Sequence, residues 1–218
     1  MMFSDDRILD CWSRNVSQWT RAVRHNQIES RRRVTNQAIV DAVMERAPGA
    51  VLDIGCGEGW LVRALAGRVE RRVGVDAIAS LVAQAEAAGG GEFRVASYDD
   101  IHQGVIEERF DVAVCNFSLI GKASVDALIR AVPSLLAANG ALIVQTLHPL
   151  MACGEAPYVD GWREGSWNGF DQSFVDPAPW YFRTLSGWCG LFASAGLQVG
   201  DIREPLHPDT GKPASLIL

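Results

Sequence analysis

The chain has 218 residues, of which 48% are hydrophobic and 21% charged, and its formal net charge at pH 7 is −6. These values are typical of one soluble α/β domain with a full core, and no apolar run approaches the roughly 20 residues that a membrane-spanning helix needs. The acidic balance argues against a nucleic-acid partner, because proteins bind phosphate backbones largely through lysine and arginine. The N-terminus has no signal-peptide pattern, so we expect a cytoplasmic protein.

The predicted elements alternate between strand and helix periods along most of the chain. Residues 8–46 have apolar residues at spacings of three or four, which predicts helices that pack ahead of the first strand. Strands are then predicted at 50–54, 72–75, 93–96, 111–115, 141–146, 197–203 and 214–218. The intervening helices are predicted at 58–67, 78–88, 99–107, 123–137 and 184–195, with Asn139-Gly140 ending the fourth and Gly196 the fifth.

The alternation stops between Pro149 and Trp180. A loop of this length inside a compact domain is more often a lid or a binding loop than a simple connector. It leaves the carboxyl end of the fifth predicted strand, which is the edge of an open α/β sheet where ligands bind. We therefore assign the loop to substrate binding, with disorder as the alternative.

A glycine-rich sequence, Asp53-Ile54-Gly55-Cys56-Gly57-Glu58-Gly59, begins in the first predicted strand and leads into a helix. Glycine lets the backbone adopt positive φ and approach a ligand at the start of a helix. The dinucleotide-binding pattern G-x-G-x-x-G requires a glycine where Trp60 stands, and a pyrophosphate would be repelled by Asp53, whereas an ammonium group would be attracted. These two residues argue against a nicotinamide oxidoreductase.

A second acid, Asp76, ends the next predicted strand, where open α/β sheets place a carboxylate for ribose hydroxyls. The glycine-rich sequence resembles the first motif of the class I S-adenosylmethionine (SAM)-dependent methyltransferases, and Asp76 matches the ribose-binding acid of that family. The resemblance implies a Rossmann-like α/β fold, with a seven-stranded, mostly parallel sheet, an antiparallel last strand and helices on both faces. It also implies SAM as the cofactor and a single domain over residues 1–218, with a helical cap at 1–46 and a substrate-side insertion at 147–183.

The resemblance further implies a set of cofactor contacts. The backbone of Gly55, Cys56 and Gly57 is expected to contact the methionine part of SAM, and Asp53 to pair with its ammonium group. The ribose contact is expected from Asp76, and Ile78 is suited to lie against the adenine. The acid that often contacts the adenine amino group is replaced here, so this contact is left open among Ser97, Tyr98 and Asp99.

The segment after the fourth predicted strand indicates which kinds of methyl transfer are unfavoured. Asn116 is the part of the family's Asn/Asp-Pro-Pro-Tyr motif that remains, which argues against nucleobase N-methylation and places Asn116 near SAM. The sequence Cys115-Asn116-Phe117 offers no acid pair for the metal that catechol-type O-methylation uses. The five scattered cysteines include no C-x-x-C pair, so no metal site is predicted.

His148 is the best-placed candidate for a general base, because it directly follows the fifth predicted strand and imidazole has an ordinary pKa of about 6.5. It would deprotonate or orient a hydroxyl, with a backbone-capping role as the alternative. Tyr181 and Arg183 are weaker candidates for acceptor binding, with packing or an ion pair as the alternative. The basic cluster Arg31-Arg32-Arg33 is either a solvated helix face or a source of an arginine for the carboxylate of SAM or an anionic substrate.

The sequence therefore predicts a SAM-dependent methyltransferase acting on a small organic metabolite, with O-methylation favoured over N- or C-methylation. We expect neither a nucleic acid nor a membrane as a partner, and the oligomeric state is left open. The competing hypothesis is a non-catalytic SAM-binding regulator or partner subunit. An enzyme needs an enclosed acceptor cavity beside the methyl group, whereas a regulator would have this space filled or exposed as an apolar interface.

Overall fold

Residues 3–218 are described by a computed structural model, in which helices surround a central sheet. The strands of these residues are β1 Ala50–Ile54, β2 Arg71–Asp76, β3 Glu92–Val95, β4 Phe110–Asn116, β5 Leu136–Thr146, β6 Gly161–Arg163, β7 Trp180–Phe182 and β8 Leu216–Ile217. The helices are α1 Asp5–Arg14, α2 Val16–Arg24, α3 Asn36–Met44, α4 Trp60–Ala64, α5 Ala79–Ala88, α6 Tyr98–His102, α7 Ala123–Leu135, α8 Pro149–Ala152 and α9 Leu185–Ser194. A π-helical turn, Arg31–Thr35, leads into α3. None of the described helices is long and apolar enough to cross a membrane.

The main sheet has six strands in the order β3-β2-β1-β4-β5-β8. The first five are parallel to one another, and β8 is antiparallel to β5. The predicted α/β class and the antiparallel last strand are therefore confirmed. Because the strand order reverses between β1 and β4, the carboxyl ends of these strands form the crevice in which open α/β sheets bind ligands.

Two apolar clusters cover the two faces of the sheet. Successive residues of β1 contribute to opposite clusters, since Val51 packs with α3 and α4 while Leu52 packs with α7 and α9. This alternation follows from the two-residue period of a strand. Both faces are thus covered by helices, as a mostly parallel sheet requires.

The predicted number of seven strands is wrong, since the described residues form six in this sheet. Residues 197–203 pair with β8 only through an isolated bridge between Arg203 and Ile217. Because β8 has only two residues, it is too short to form a ladder with residues 197–203. The prolines that follow this segment also lack the N–H groups that a ladder needs. The predicted helix end at Asn139-Gly140 is also wrong, because the helix ends at Leu135 and both residues lie in β5 beside a register shift.

The region at 147–183 contains regular structure that the sequence did not predict, namely α8 and a two-stranded sheet of β6 and β7. Strands of three residues are too short for a period to be recognised. Residues 167–176, which we call the strap, pack on α1 and α2. Asn15 binds the backbone of Val175 twice, at 2.8 Å and 2.9 Å, and Arg7 pairs with Asp176.

Candidate active site

A cavity lies at the carboxyl ends of β1, β2 and β4, beneath the cap helices α1 and α2. The strand ends contribute its polar wall, and the cap helices and the segment after β4 contribute most of its apolar wall. The lining residues are Asp5, Asp6, Ile8, Leu9, Trp12, Trp19, Gly55, Gly57, Asp76, Ala77, Ile78, Ser97, Tyr98, Asp99, Asn116, Phe117, Ser118, Ile120, Gly121 and Ser124.

The two glycines that line the cavity have different structural roles. Gly55 has φ +76°, and a Cβ there would overlap the side chain of Ser118, lying 2.9 Å from its Oγ. Gly57 has φ +57°, but a Cβ there would meet only Trp19 Nε1, at 3.4 Å. Close packing of the protein itself therefore requires glycine at position 55, whereas the space beside position 57 is open toward the cavity.

Asp76 connects the glycine loop to α5. Its Oδ2 accepts the Gly57 N–H and its Oδ1 accepts the Ile78 N–H, both at 2.9 Å. Burial raises the pKa of Asp76, and the two N–H donors oppose that rise. Because a carboxylate oxygen can accept more than one hydrogen bond, both oxygens retain capacity for a ligand in the cavity.

Asp53 is buried at the end of β1, and its Oδ1 has no hydrogen-bond partner among the described residues. Burial raises the pKa of Asp53 to about 7, the neighbouring Asp76 adds to the rise, and Arg31 opposes it. An unpartnered buried carboxylate is unfavourable, which makes Asp53 a candidate for a cationic ligand group.

Arg31 presents the complementary charge from the π-helical turn. Its guanidinium lies 5.4 Å from the ring centre of Trp19 and 4.7 Å from that of Trp60, and its Nε donates to Asn36 at 3.1 Å. Its Nη2 is buried without a partner. Burial lowers the pKa of Arg31 to about 10, and the negative charges of Glu58 and Asp53 oppose this shift. The unpaired Nη2 is a candidate donor to an anionic ligand group.

Four of the remaining predicted cofactor residues line the cavity, whereas Cys56, like Asp53 and Arg31, is not among its lining residues. Ile78, Tyr98 and Asn116 line the cavity, and Asn116 Oδ1 is buried without a partner. Ser97 also lines it, but its hydroxyl is engaged with Asp100 in a capping box that starts α6. The side chain of Cys56 packs in an apolar cluster, while its N–H donates to the Val75 carbonyl at 2.9 Å.

Three predicted acceptor-side residues lie outside the cavity lining. His148 Nε2 is 2.6 Å from Glu204 Oε1, and His148 Nδ1 is buried without a partner. Arg183 is buried in an ion pair with Asp126 at 2.9 Å, which fits the ion-pair alternative, and Tyr181 stacks edge-on against Trp162. No residue of the insertion at 147–183 lines the cavity; the strap instead packs on the cap helices, where Trp167 lies edge-on against Trp12 at a ring-centre distance of 5.5 Å.

Sequence reasoning predicted a helical cap at 1–46 but did not identify which residues of α1 line the cavity. Ile8, Leu9 and Trp12 line it from this helix, and Asp5 fixes the helix in place by accepting the N–H groups of Lys122 and Ser124, at 2.8 Å and 2.6 Å. Helical periodicity shows which residues share a face, but the partner of that face depends on tertiary contacts.

Phe117 is a further missed residue. It follows Asn116 in the cavity wall and has φ +54°, which is strained for a bulky side chain. Such strain often occurs at functional sites. The sequence carries no signal for it, because the residue is not a glycine.

Comparison with known proteins shows which proteins the chain is similar to. A family model described as a methyltransferase domain matches residues 51–140. The ubiquinone biosynthesis O-methyltransferase of Xanthomonas axonopodis pv. citri is 29% identical over 178 residues, covering 77% of this chain and 70% of that protein. The enzyme of the same name from Azorhizobium caulinodans is 34% identical over 141 residues, which cover 59% of this chain and 53% of that protein.

Among solved structures, a SAM-dependent methyltransferase from Mesorhizobium loti shares the fold with a TM-score of 0.63 and 22% identity, covering 83% of this chain and 94% of that one. The predicted resemblance to the class I SAM-dependent methyltransferases is therefore confirmed. SAM is its cofactor, and the predicted enzyme class is confirmed, so the regulator hypothesis is not retained. The Rossmann-like fold of the methyltransferase is confirmed by the same comparison.

Proposed function

We propose that the methyltransferase transfers the methyl group of SAM to a hydroxyl group of a small organic acceptor. The observation that supports this most is the continuity of the cavity, which runs from the glycine loop and Asp76 to an apolar wall formed by α1 and the segment after β4. An acceptor there would lie beside the cofactor, and proximity with exclusion of water supplies much of the rate of such a transfer. The two curated relatives are named as O-methyltransferases, which supports oxygen as the accepting atom.

The cofactor's amino-acid part is proposed to bind between Asp53 and Arg31. The ammonium group would pair with Asp53, the carboxylate with Arg31 Nη2, and the backbone of Gly55, Cys56 and Gly57 would line the methionine chain. Two buried groups of opposite charge, each with an unpaired atom, support this orientation, because a zwitterion satisfies both.

The nucleoside part is proposed to bind at the ends of β2 and β3. Asp76 would accept the ribose hydroxyls and Ile78 would lie against the adenine. Tyr98 Oη already donates to the Ser118 carbonyl at 3.0 Å, and Ser97 is engaged in its capping box, so the exposed carboxylate of Asp99 is the adenine contact that we favour. Asn116 would lie near the methyl group.

The acceptor side of the cavity disfavours an anionic molecule. Among the described lining residues there is no lysine, arginine or histidine, so a carboxylate or phosphate on the acceptor would find no cationic partner. Incubation with isotope-labelled SAM and a panel of phenols, aromatic amines and benzoates should give labelled methyl ethers of the uncharged phenols. Labelling of amines alone would contradict transfer to oxygen.

Replacement of Arg31 tests the orientation of the cofactor. Arg31→Ala should weaken the binding of S-adenosylhomocysteine by about 2 kcal/mol, as expected for loss of a hydrogen bond to a charged group. Methylthioadenosine has no amino-acid part, so its affinity should change little. Isothermal titration calorimetry measures both affinities.

Arg33→Ala is the matched control, because Arg33 belongs to the same basic cluster but pairs with Glu29 and Asp209 at the surface. It should leave both affinities unchanged. If Arg31→Ala weakened the binding of both ligands equally, Arg31 would stabilise the fold of the cap and would not bind the carboxylate of the cofactor.

The role of His148 as a general base stays a prediction. If it holds, His148→Ala lowers kcat by about 100-fold and leaves SAM affinity unchanged. Glu204→Gln is the control for the contact between the two side chains. A loss of only a few-fold in kcat would make His148 a structural residue that joins β5 to the C-terminal segment.

A further inference from the structure

Glu58, inside the glycine loop, is fully buried yet does not line the cavity. Its Oε2 accepts Arg24 Nε at 2.9 Å and Arg63 Nη2 at 2.5 Å, while Oε1 has no partner. Arg63 Nη1 also donates to the Glu58 carbonyl at 2.6 Å. A buried carboxylate is stable only when it is paired, so these arginines determine where the loop lies.

Arg24 is the member of this group that belongs to the cap. It lies at the end of α2, and besides Glu58 it donates through Nη2 to the Gln84 carbonyl of α5, at 2.8 Å. One side chain therefore joins three elements: the cap, the glycine loop and the helix that follows Asp76. Trp19, on the same helix as Arg24, covers Gly57 and lines the cavity.

We propose that the pair of Arg24 and Glu58 is a positioning contact that keeps the cap helices closed over the bound cofactor. This inference rests on the proposed cofactor site. Neither side chain lines the cavity, so the pair acts through the helix that carries Trp19 and through the loop that carries Gly57. The fully buried position of Glu58 favours this role over an ordinary surface ion pair, because a buried charge that loses a partner is costly, whereas a surface pair contributes little.

The test is the rate at which S-adenosylhomocysteine leaves the protein, followed by stopped-flow tryptophan fluorescence. Arg24→Ala should speed dissociation about tenfold or more with little change in the association rate, because loss of the hydrogen bond to the charged Glu58 alone corresponds to at least that factor. Arg24→Lys should recover most of the effect, since its ammonium group can still pair with Glu58. Arg203→Ala is the matched control, because Arg203 is 35% exposed against 36% for Arg24 and forms its ion pairs with Glu45 and Asp201; it should leave dissociation unchanged.

Two outcomes would overturn the proposal. A lower melting temperature in Arg24→Ala with unchanged dissociation would mean that the pair only stabilises the fold. Failure of Arg24→Lys to slow dissociation relative to Arg24→Ala would exclude the charge contact as the cause. Where Arg24→Ala does not fold, Arg24→Met carries the same test, because it keeps the apolar part of the side chain, removes its charge and leaves the pair of Glu58 and Arg63 in place.

The experiment separates this proposal from the proposed cofactor site. If the wild type binds and Asp76→Ala weakens binding while Arg24→Ala dissociates at the wild-type rate, only the positioning role fails. If Asp76→Ala and Arg31→Ala bind as the wild type does, the cofactor site itself is wrong and the positioning role fails with it.

Discussion

Replacing Asp76 with alanine should weaken the binding of SAM and of S-adenosylhomocysteine by about 2 kcal/mol or more, as measured by calorimetry. The carboxylate has two functions in the proposed site, because it would accept the ribose hydroxyls and it already holds the N–H groups of Gly57 and Ile78. Its loss removes a ligand contact and releases the loop that surrounds the ligand. Unchanged affinity would contradict the ribose assignment.

Asp76→Asn is an informative companion to this variant. Both carboxylate oxygens accept backbone N–H groups, so the NH₂ group of asparagine must face one of two donors, Gly57 N–H or Ile78 N–H. We therefore expect Asp76→Asn to lose nearly as much affinity as Asp76→Ala, despite its similar shape. Affinity close to the wild type would show that the charge and the second acceptor are dispensable.

Gly57→Val should abolish measurable cofactor binding while the fold largely persists. A Cβ at Gly57 meets only Trp19 at an ordinary contact distance, so the branched side chain would project toward the space proposed for the methionine chain. Its φ of +57° adds strain that we expect to cost about 1 kcal/mol of stability. Calorimetry and thermal melting measure the two effects separately.

Gly55→Val is the contrasting variant, because a Cβ there overlaps Ser118 within the protein. It should lower the melting temperature sharply as well as the affinity. If Gly57→Val destabilises the protein as much as Gly55→Val does, the glycine at 57 serves the turn alone and its proposed role in binding fails.

The sequence predicted the sheet core well because buried parallel strands are continuous apolar runs with glycine or acid at their ends. The run at 50–54 and the acid at 76 gave the crevice and its two carboxylates, and both lie at the strand ends where they were expected. Local composition was sufficient there, since the geometry of a parallel sheet brings these ends together.

The parts that were not predicted depend on contacts between distant segments. The cap was predicted, but the residues of α1 that form the cavity wall depend on the contact of Asp5 with the start of α7, and the position of the strap depends on its contact with Asn15. His148 was selected for its position after β5, but the direction of its side chain depends on Glu204, which lies in a segment without a clear period. Such pairings leave no periodic signal in the sequence.

The contacts of the cap also set an order of events during folding. Asp5 accepts from Lys122, and Asn15 binds Val175 across 160 positions of sequence, so α1 and α2 reach their final places only after most of the chain is available. Contacts of such long sequence separation form slowly, because the loop-closure entropy is lost before they are made. We therefore expect the sheet to form before the cap docks, and a chain released from the ribosome too early would hold an open cofactor crevice with the tryptophans of its first two helices in water.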